Sequence, residues 1–247
     1  MFYLSSERKE ETNMELLEQI LTPENLNKAY KKVCQNKGSA GIDGVTVDMV
    51  AEQIKEDNGK ILNRIRKRTY KPLPVKRVQI PKENGKKRNL GVPVVMDRII
   101  QQAMVQVLSP IFEEEFNNNS YGFRPERSCE QAVIKALEFL NDGYDWIVDM
   151  DLEKFFNTVN QDKLITIIRR TIKDGDVVSL IRKYLSAGVM ENGIVKPTKT
   201  GTPQGGNLSP LLSNIMLNEL DKELEARGLN FVRYADDCAP RAYDQVA

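Results

Sequence analysis

Residues 231–238 read Phe231-Val232-Arg233-Tyr234-Ala235-Asp236-Asp237-Cys238, a short apolar run that ends in two adjacent aspartates. This pattern predicts a turn, with both carboxylates at the tip of a strand pair. Two carboxylates that close repel each other unless cations or basic groups balance them, and hard cations such as Mg2+ prefer oxygen ligands. An isolated Asp-Asp pair is also typical of a solvated turn, so a second acidic segment has to decide between the two interpretations.

That second segment reads Trp146-Ile147-Val148-Asp149-Met150-Asp151 and is followed by Leu152-Glu153-Lys154-Phe155-Phe156. A period of two predicts a strand with Ile147, Asp149 and Asp151 on one face, and its apolar character argues against a surface loop. If the strand lies beside the hairpin, three carboxylates converge at one end of a sheet. Three carboxylates on a rigid sheet are what a two-metal phosphoryl-transfer site requires.

The composition excludes several other classes of site. The chain has 247 residues, 40% of them hydrophobic and 29% charged, which is typical of a soluble globular protein with one large domain or two joined subdomains. There is no histidine, so Ser-His-Asp and Cys-His nucleophilic sites and histidine-ligated zinc are excluded. Three distant cysteines indicate neither a disulfide framework nor a zinc cluster. Without a signal peptide or a long apolar run, we expect an intracellular protein.

The net charge of +1 hides a segregation of charge along the chain. Residues 60–98 contain thirteen Lys or Arg and two acids, a local charge of +11, and the rest of the chain is acidic by ten charges. A basic segment of this kind on a predicted hairpin favours contact with a nucleic-acid backbone. A merely solvated basic face is the alternative.

Four motifs in a fixed order carry a resemblance to a known family. In chain order they are Tyr121-Gly122-Phe123-Arg124-Pro125, the segment Asp151 to Phe156, Gly201-Thr202-Pro203-Gln204-Gly205-Gly206-Asn207-Leu208-Ser209-Pro210, and the Tyr-Ala-Asp-Asp box at residues 234–237. Their order and their amino-acid sequences resemble those of reverse transcriptases, most of all the maturase reverse transcriptases encoded by bacterial group II introns. The resemblance covers about residues 26 to 238, which is nearly the whole chain.

The resemblance implies an α+β fold with the fingers and palm of a polymerase right hand. An antiparallel palm sheet is backed by helices, and the fingers subdomain is helical with a hairpin. The expected organisation is an N-terminal extension at 1–45, fingers at 46–144, a palm with the catalytic aspartates at 145–238, and a tail outside the family pattern at 239–247. Because Pro240 removes a ladder donor, the strand is expected to stop at Cys238. The thumb and C-terminal domains are expected to be absent.

The resemblance also implies roles for individual residues. Asp151, Asp236 and Asp237 are the expected catalytic residues and hold two Mg2+ ions, for which Mn2+ can substitute, with Asp149 secondary. The residues expected to contact the deoxynucleotide are Lys82, Arg88, Gln204 and Phe156. The ring of Phe156 would exclude a ribose 2'-hydroxyl and so select deoxynucleotides. Arg124 and Tyr234 are the expected template and primer contacts. The loop 201–207 could equally be a generic anion-binding nest, and the glycine-rich stretch 36–44 could be a plain connector.

The function implied is RNA-directed DNA polymerisation with intron RNA binding for splicing and retrohoming. The expected partners are intron RNA, an RNA template with its primer, deoxynucleotides, and target DNA in the full-length protein. A homodimer is possible because the palm sheet is expected to have an unpaired edge. We expect no membrane partner. The expected location is the bacterial cytoplasm. Two alternatives are a splicing cofactor in which polymerisation is incidental and an RNA-templated RNA polymerase. Without a thumb, the chain is expected to fold and bind RNA but polymerise poorly.

Local signals place the secondary structure around these motifs. Thr22 is predicted to cap a helix that starts at Pro23, and Ser128 with Gln131 predicts a capping box. A hairpin is predicted over residues 74–93 and another around 190–194. Pro110 is expected to kink or break the helix of residues 97–116, and Ser209 is expected to cap a helix that ends near Gly228.

Overall fold

The computed structural model describes residues 14–81, 85, 87–144, 146–152, 154–203 and 205–242, with the backbone alone at positions 88, 151, 241 and 242. Its described part contains helices and two mainly antiparallel sheets, which confirms the predicted α+β class. The chain divides into two compact units that interleave along the sequence. Unit 1 comprises residues 1–108, 168–199 and 203–208, and unit 2 comprises 109–167, 200–202 and 209–247. The fingers–palm boundary near residue 145 stays a prediction.

Unit 1 combines a helical part with a four-stranded sheet. Its helices are α1 (Leu16–Ile20), α2 (Pro23–Gln35), α3 (Val50–Asp57), α4 (Lys60–Arg66), most of α5 (Val95–Glu113) and α9 (Gly175–Leu185). Its strands are β1 (Val75–Pro81), β2 (Lys87–Val92), β5 (Val189–Glu191) and β6 (Ile194–Lys196), in the order β2-β1-β5-β6. Strands β1 and β2 form the predicted first hairpin, and β5 and β6 form the second.

Unit 2 holds the second sheet, which carries the acidic motifs. Its strands are β3 (Trp146–Ile147), β4 (Met150–Asp151), β7 (Asn230–Tyr234) and β8 (Asp237–Ala242), and β8 pairs with all three of the others. Its helices are α6 (Cys129–Asn141), α7 (Phe155–Thr158) and α10 (Ser209–Ala226), while α8 (Gln161–Thr171) begins here and ends in unit 1.

Buried apolar clusters cover two faces of β7. Val232 packs with Tyr121, Ala132 and Phe139, so α6 covers one face. The neighbouring residue Phe231 packs with Leu224 and Cys238. Side chains alternate across a strand, so α10 covers the opposite face. The strand before the two aspartates is therefore held rigidly from both sides.

The predicted helix starts are confirmed where the signal is a local cap. The Thr22 hydroxyl accepts from the Asn25 N–H at 3.3 Å, and Ser128 and Gln131 form the reciprocal capping box. Helix α10 starts one residue earlier than predicted, because Ser209 is its first residue. Among the described residues, no helix is long and apolar enough to span a membrane.

The predicted strand at residues 146–151 is wrong in its middle. It is interrupted at Val148 and Asp149, which leaves the two short strands β3 and β4. Trp146, Ile147 and Val148 are all at least half exposed. Asp149 is exposed as well and lies in the interruption, and its predicted place on one face with Asp151 stays a prediction because the Asp151 side chain is outside the described part. Apolar character alone therefore did not indicate burial here.

Two predictions about proline also require correction. Strand β8 does not stop at Cys238 but continues through Pro240, which lies opposite Phe231. The Pro240 carbonyl accepts from the Val148 N–H at 3.0 Å, at the point where β3 and β4 are interrupted, so the lost donor breaks no regular ladder there. Helix α5 is not broken at Pro110 but continues to Glu113, and the alternative that Pro110 kinks it stays a prediction.

A buried carboxylate anchors the segment that leads into β1. Asp97 is 1% exposed and accepts from the Tyr70 hydroxyl at 2.5 Å and from the Leu73 N–H at 3.1 Å. Burial raises the pKa of Asp97 to about 6, and the hydrogen bond from Tyr70 opposes that rise. Burial also raises the pKa of Tyr70 above its ordinary value, so the phenol stays protonated and continues to donate.

The raised pKa of Asp97 predicts a pH-dependent stability. The folded protein binds this proton more tightly than the unfolded chain, so the contribution is present in full below the unfolded pKa and is lost as the pH rises through about 6. Relative to Asp97→Asn, the free energy of unfolding should fall by about 2 kcal/mol between about pH 4.5 and about pH 7. Urea unfolding of both proteins across this range measures the difference, and a constant difference would contradict the assignment.

Candidate active site

The paired aspartates lie at the turn between β7 and β8. Tyr234 lies opposite Asp237, and Ala235 and Asp236 connect the two strands. Ala235 has a φ of 59°, in the left-handed region that a non-glycine residue rarely adopts. Asp236 is half-buried and Asp237 is exposed. The predicted turn at the tip of a strand pair is therefore confirmed.

Strand β4 brings the third aspartate position to the same end of the sheet. Asp151 lies directly opposite Asp237, and Met150 lies opposite Cys238. Opposed residues on antiparallel strands have Cα atoms about 4.5–5.5 Å apart. The backbone register thus places Asp151 beside the turn that carries Asp236 and Asp237, and it does not include Asp149 in the same ladder.

This arrangement fits hard divalent cations in the chemistry of its donors. Carboxylate oxygens are the ligands that Mg2+ and Mn2+ prefer, and opposed like charges favour a cation between them. Within the described residues, no set of three or more His, Cys, Asp or Glu side chains is already arranged as a metal site. The Asp151 side chain is outside that part, so the fit rests on the backbone register and on the residue types.

A buried ion pair beside the turn was missed by the sequence analysis. Arg233 and Asp221 are both fully buried, and the guanidinium donates to both carboxylate oxygens, at 2.7 and 2.6 Å. The same guanidinium donates to the Asn214 side chain at 3.1 Å and to the Ala235 carbonyl at 2.8 Å. A signal was present in the sequence, because Arg233 lies in an apolar strand where alternation places it on the face toward α10.

The Tyr121 motif lies against the same turn. The Arg233 backbone donates to Asn119 and accepts from Tyr121, both at 2.9 Å. A Cβ added at Gly122 would lie 2.2 Å from the Ala235 nitrogen, so only glycine allows this approach. The Gly122 carbonyl accepts from the Asn214 side chain at 2.8 Å. The motif therefore supports the acidic turn directly.

The side chain of Arg124 is buried in the interior of unit 2. Its side chain is 3% exposed, pairs with Glu113 at 2.6 Å, and donates to the carbonyls of Asn117 and Ser120. It also stacks over the Phe116 ring. The predicted template contact therefore lacks an accessible donor in this geometry. Tyr234, the other predicted template or primer contact, is 41% exposed.

Phe156 is more buried than its neighbour Phe155. Phe156 is 8% exposed and makes an edge-to-face contact with the Phe155 ring, with centroids 5.6 Å apart. Its carbonyl accepts from the Thr202 N–H at 2.7 Å, and Gly201 packs against the same backbone. The loop 200–202 is thereby fixed to α7. Core packing accounts for the burial of Phe156, and its exclusion of a ribose 2'-hydroxyl stays a prediction.

The remaining part of the glycine-rich loop, residues 203–208, is anchored in unit 1. A Cβ at Gly205 would lie 2.4 Å from the Gly91 carbonyl oxygen on β2. The Gln101 side chain accepts from the Leu208 N–H at 3.3 Å, and Gln102 accepts from the Asn207 side chain at 3.1 Å. Two further predicted nucleotide contacts, Lys82 and Gln204, lie outside the described residues. The Arg88 backbone lies in β2 opposite Ile80.

The cysteines take no part in the arrangement of carboxylates. Cys238 is buried beside the turn, and burial raises the pKa of its thiol to about 12. Among the described residues, Cys34, Cys129 and Cys238 are all free thiols.

Comparison with known proteins gives a family for this arrangement. Residues 80–240 match a family model described as "Reverse transcriptase (RNA-dependent DNA polymerase)". The chain is 40% identical to Protein YkfC of Escherichia coli (strain K12) over 221 residues, which cover 87% of the chain and 58% of the relative. It is also 40% identical to the group II intron-encoded protein LtrA of Lactococcus lactis subsp. cremoris over 243 residues. That match covers 98% of the chain and 40% of LtrA.

A solved structure shows the same fold. The chain resembles a protein in a partial Cas6-RT-Cas1–Cas2 complex with a TM-score of 0.60 and 23% sequence identity. The match covers 94% of this chain and 39% of the other. The chain thus spans between 39% and 58% of the length of these proteins, and the match with the solved structure extends over nearly all of its own residues.

Proposed function

Because the chain belongs to the reverse transcriptase (RNA-dependent DNA polymerase) family, we propose that it is the RNA-directed DNA polymerase core of a group II intron maturase. It transfers a nucleotide from a deoxynucleoside triphosphate to a primer 3'-hydroxyl on an RNA template. One observation carries the proposal: Asp151 lies opposite Asp237 in the ladder, beside the turn with Asp236. The similarity to the group II intron-encoded protein LtrA supports the assignment to that class.

Asp151, Asp236 and Asp237 would hold two Mg2+ ions, with Mn2+ as a substitute. When bound, such ions activate the attacking 3'-hydroxyl and stabilise the charge that develops at phosphorus and on the leaving oxygen. The protein contributes position. Asp151 is held by the pairing of β4 with β8, and Asp236 lies in a two-residue turn that follows β7, a strand packed on both faces. Pre-set ligands of this kind avoid reorganisation during the reaction.

The nucleotide contacts in this proposal follow the family pattern. Lys82 and Arg88 would pair with the triphosphate through charge-assisted hydrogen bonds. Gln204 would belong to the nucleotide-pocket loop, and the anchoring of Gly205 against Gly91 supports a fixed position for that loop in unit 1. Tyr234, which is exposed next to the acidic turn, remains the better-placed candidate for contact with template or primer.

Primer extension tests the polymerase proposal directly. On an RNA template with Mg2+, we expect incorporation of deoxynucleotides and little incorporation of ribonucleotides. An RNA-directed RNA polymerase would show the reverse preference. Specific binding to intron RNA without any extension by the full-length protein would instead favour the splicing-cofactor alternative.

Phe156→Ala should relax the choice of sugar. Removing the ring opens the space that a ribose 2'-hydroxyl would need, so the ratio of ribonucleotide to deoxynucleotide incorporation should rise by about tenfold or more. The matched variant Phe155→Ala should leave that ratio unchanged. Because Phe156 is also buried, melting temperatures of both variants are measured alongside, and an unchanged ratio in a folded Phe156→Ala protein would limit Phe156 to core packing.

A specific observation also favours RNA binding by the basic segment of unit 1. Several of its lysines are exposed and lie on or near α4, β1 and β2: Lys60, Lys67, Lys71, Lys76 and Lys87. Exposed lysines bind phosphates through counterion release, which makes the affinity fall with salt. This surface would serve intron RNA or a template equally well, so it supports both the polymerase and the splicing-cofactor functions.

The salt dependence of RNA binding tests that surface. In Lys67→Gln/Lys71→Gln, the slope of log K against log salt for single-stranded RNA should become shallower by about 1.4, since each lost phosphate contact contributes about 0.7. A control with the same change of charge, Lys163→Gln/Lys222→Gln, alters exposed lysines of unit 2 and should keep the wild-type slope. If the slope of Lys67→Gln/Lys71→Gln equals the wild-type slope, the RNA does not bind at these lysines.

A further inference from the structure

The turn that carries Asp236 is held in an unfavourable backbone conformation. Ala235 adopts a φ of 59°, which costs an L-residue other than glycine about 1 kcal/mol or more. Such a conformation persists only where surrounding contacts determine it. The contacts that meet Ala235 therefore also determine where the next residue, Asp236, places its carboxylate.

The guanidinium of Arg233 makes the side-chain contact to this turn. Its Nη1 donates to the Ala235 carbonyl at 2.8 Å, only two residues along the chain. Nε and Nη2 donate to the two oxygens of Asp221 on α10, so the fork cannot rotate away from the turn. Nη1 also donates to the side chain of Asn214, which lies on α10 two helical turns before Asp221. Arg233 thus ties the turn to the helix behind it.

Asn214 extends this network to the glycine that closes the other side of the turn. Its side-chain nitrogen donates to the Gly122 carbonyl at 2.8 Å, while its oxygen accepts from Arg233. Gly122 in turn abuts the Ala235 nitrogen and Cα. The left-handed residue is therefore enclosed by Arg233 and by Gly122, and Asn214 connects the two.

We propose that Arg233 is a positioning residue for the metal site: its ion pair with Asp221 holds the Ala235 turn so that Asp236 is presented beside Asp151. The inference rests on the proposed metal-dependent function and adds a residue outside the set of carboxylates. It differs from a stability role alone, because a buried pair that merely filled the core would not need a bond to the turn. Charged pairs in the interior can often be replaced by apolar residues without loss of stability.

The double variant Asp221→Leu/Arg233→Met separates the two roles. It removes one negative and one positive charge, so the net charge near the aspartates is unchanged, and it leaves no unpaired ion in the interior. We expect Arg233→Met alone to lower the melting temperature and the double variant to recover it. The Kd for Mn2+, measured by EPR titration of the 247-residue chain, should stay raised by about tenfold or more in the double variant, as for lost outer-shell partners elsewhere.

Recovery of the Mn2+ affinity together with the melting temperature would overturn the proposal and reduce the pair to packing. If the double variant does not fold, Arg233→Lys decides. A lysine keeps the charge for Asp221 but lacks the planar fork that serves Asp221 and Ala235 together. A folded Arg233→Lys protein with wild-type Mn2+ affinity would overturn the proposal equally.

Asn218→Ala provides the matched control. Asn218 is a buried amide on α10, one helical turn after Asn214, and it bonds Glu115 and Asn117 instead of the turn. Its loss should lower the melting temperature and leave the Mn2+ affinity unchanged, whereas Asn214→Ala should lower both. If the wild-type chain shows no Mn2+ binding that Asp151→Asn removes, the metal site itself fails and this inference fails with it. If that binding is present and the double variant keeps it, only the role of Arg233 fails.

Discussion

Asp151→Asn should reduce primer extension by about 10³-fold or more while the protein stays folded. A carboxylate that binds a metal contributes to activation of the nucleophile and to stabilisation of developing charge, together several kcal/mol, and each 1.4 kcal/mol changes a rate about tenfold. Asparagine keeps the size of the side chain and removes its charge, so the pairing of β4 with β8 should persist. Single-turnover incorporation of one deoxynucleotide in Mg2+ measures the effect.

Asp149→Asn is the control for this result. Asp149 precedes Asp151 by two residues but lies between β3 and β4, outside the ladder that faces Asp237. Its amide variant should keep a rate within about threefold of wild type, in line with the loss of a solvated surface charge. A large loss in Asp149→Asn with an active Asp151→Asn would show that the metal is bound in a different register.

Gly122→Ala should lower both the rate of primer extension and the stability of the protein. The added Cβ would lie 2.2 Å from the Ala235 nitrogen and 2.9 Å from its Cα, so either the Tyr121 motif or the acidic turn has to move. Displacing a reacting group by about 1 Å can cost about 10²-fold in rate. We expect a loss of that size in extension, with destabilisation of about 1–3 kcal/mol from overpacking. Extension kinetics and urea unfolding measure the two effects.

Gly175→Ala adds the same methyl group where there is room for it. Gly175 is the first residue of α9, and the nearest atom to an added Cβ is the end of the flexible Arg68 side chain at 3.8 Å. This variant should keep wild-type extension and stability. Equal behaviour of the two alanine variants would mean that the close approach of Gly122 to the turn has no functional role.

The parts of the fold that could be predicted are those with a local physical signal. Thr22 and Ser128 cap helices because a side-chain oxygen has a fixed reach to the N–H groups of the first turn. The acidic turn could be predicted because an apolar run that ends in two carboxylates has few other solutions. The order of the motifs indicated the reverse transcriptase family, which the match of residues 80–240 to the family model confirms.

The errors arose where distant partners decide the outcome. The run Trp146 to Asp151 has the composition of a continuous strand, yet pairing with β8 holds only its two ends, and Pro240 lies opposite the interruption. Arg124 has the type of a nucleic-acid contact and its template role stays a prediction, but its burial against Glu113 and two carbonyls was not foreseen. Neither partner can be inferred from the neighbouring sequence.

Arg233 shows the same limit from the other direction. Alternation along β7 places Arg233 on the face toward the interior, where an arginine requires a partner, but the sequence analysis did not use this signal. That partner, Asp221, lies among other charged residues of α10, and the sequence alone does not distinguish it from the exposed Lys222 and Glu223 beside it. The three-dimensional arrangement was needed to connect the ion pair with the turn that carries Asp236.

Anomalous diffraction from crystals of the protein with Mn2+ tests the proposed metal site most directly. The account predicts Mn2+ peaks within about 2.2 Å of carboxylate oxygens from Asp151 and Asp236, with Asp237 adjacent, since carboxylates bind such cations at roughly this distance. These peaks should be absent from crystals of Asp151→Asn. Mn2+ bound to Asp149 while Asp151 points away from the turn, or no Mn2+ near Asp236, would contradict the account.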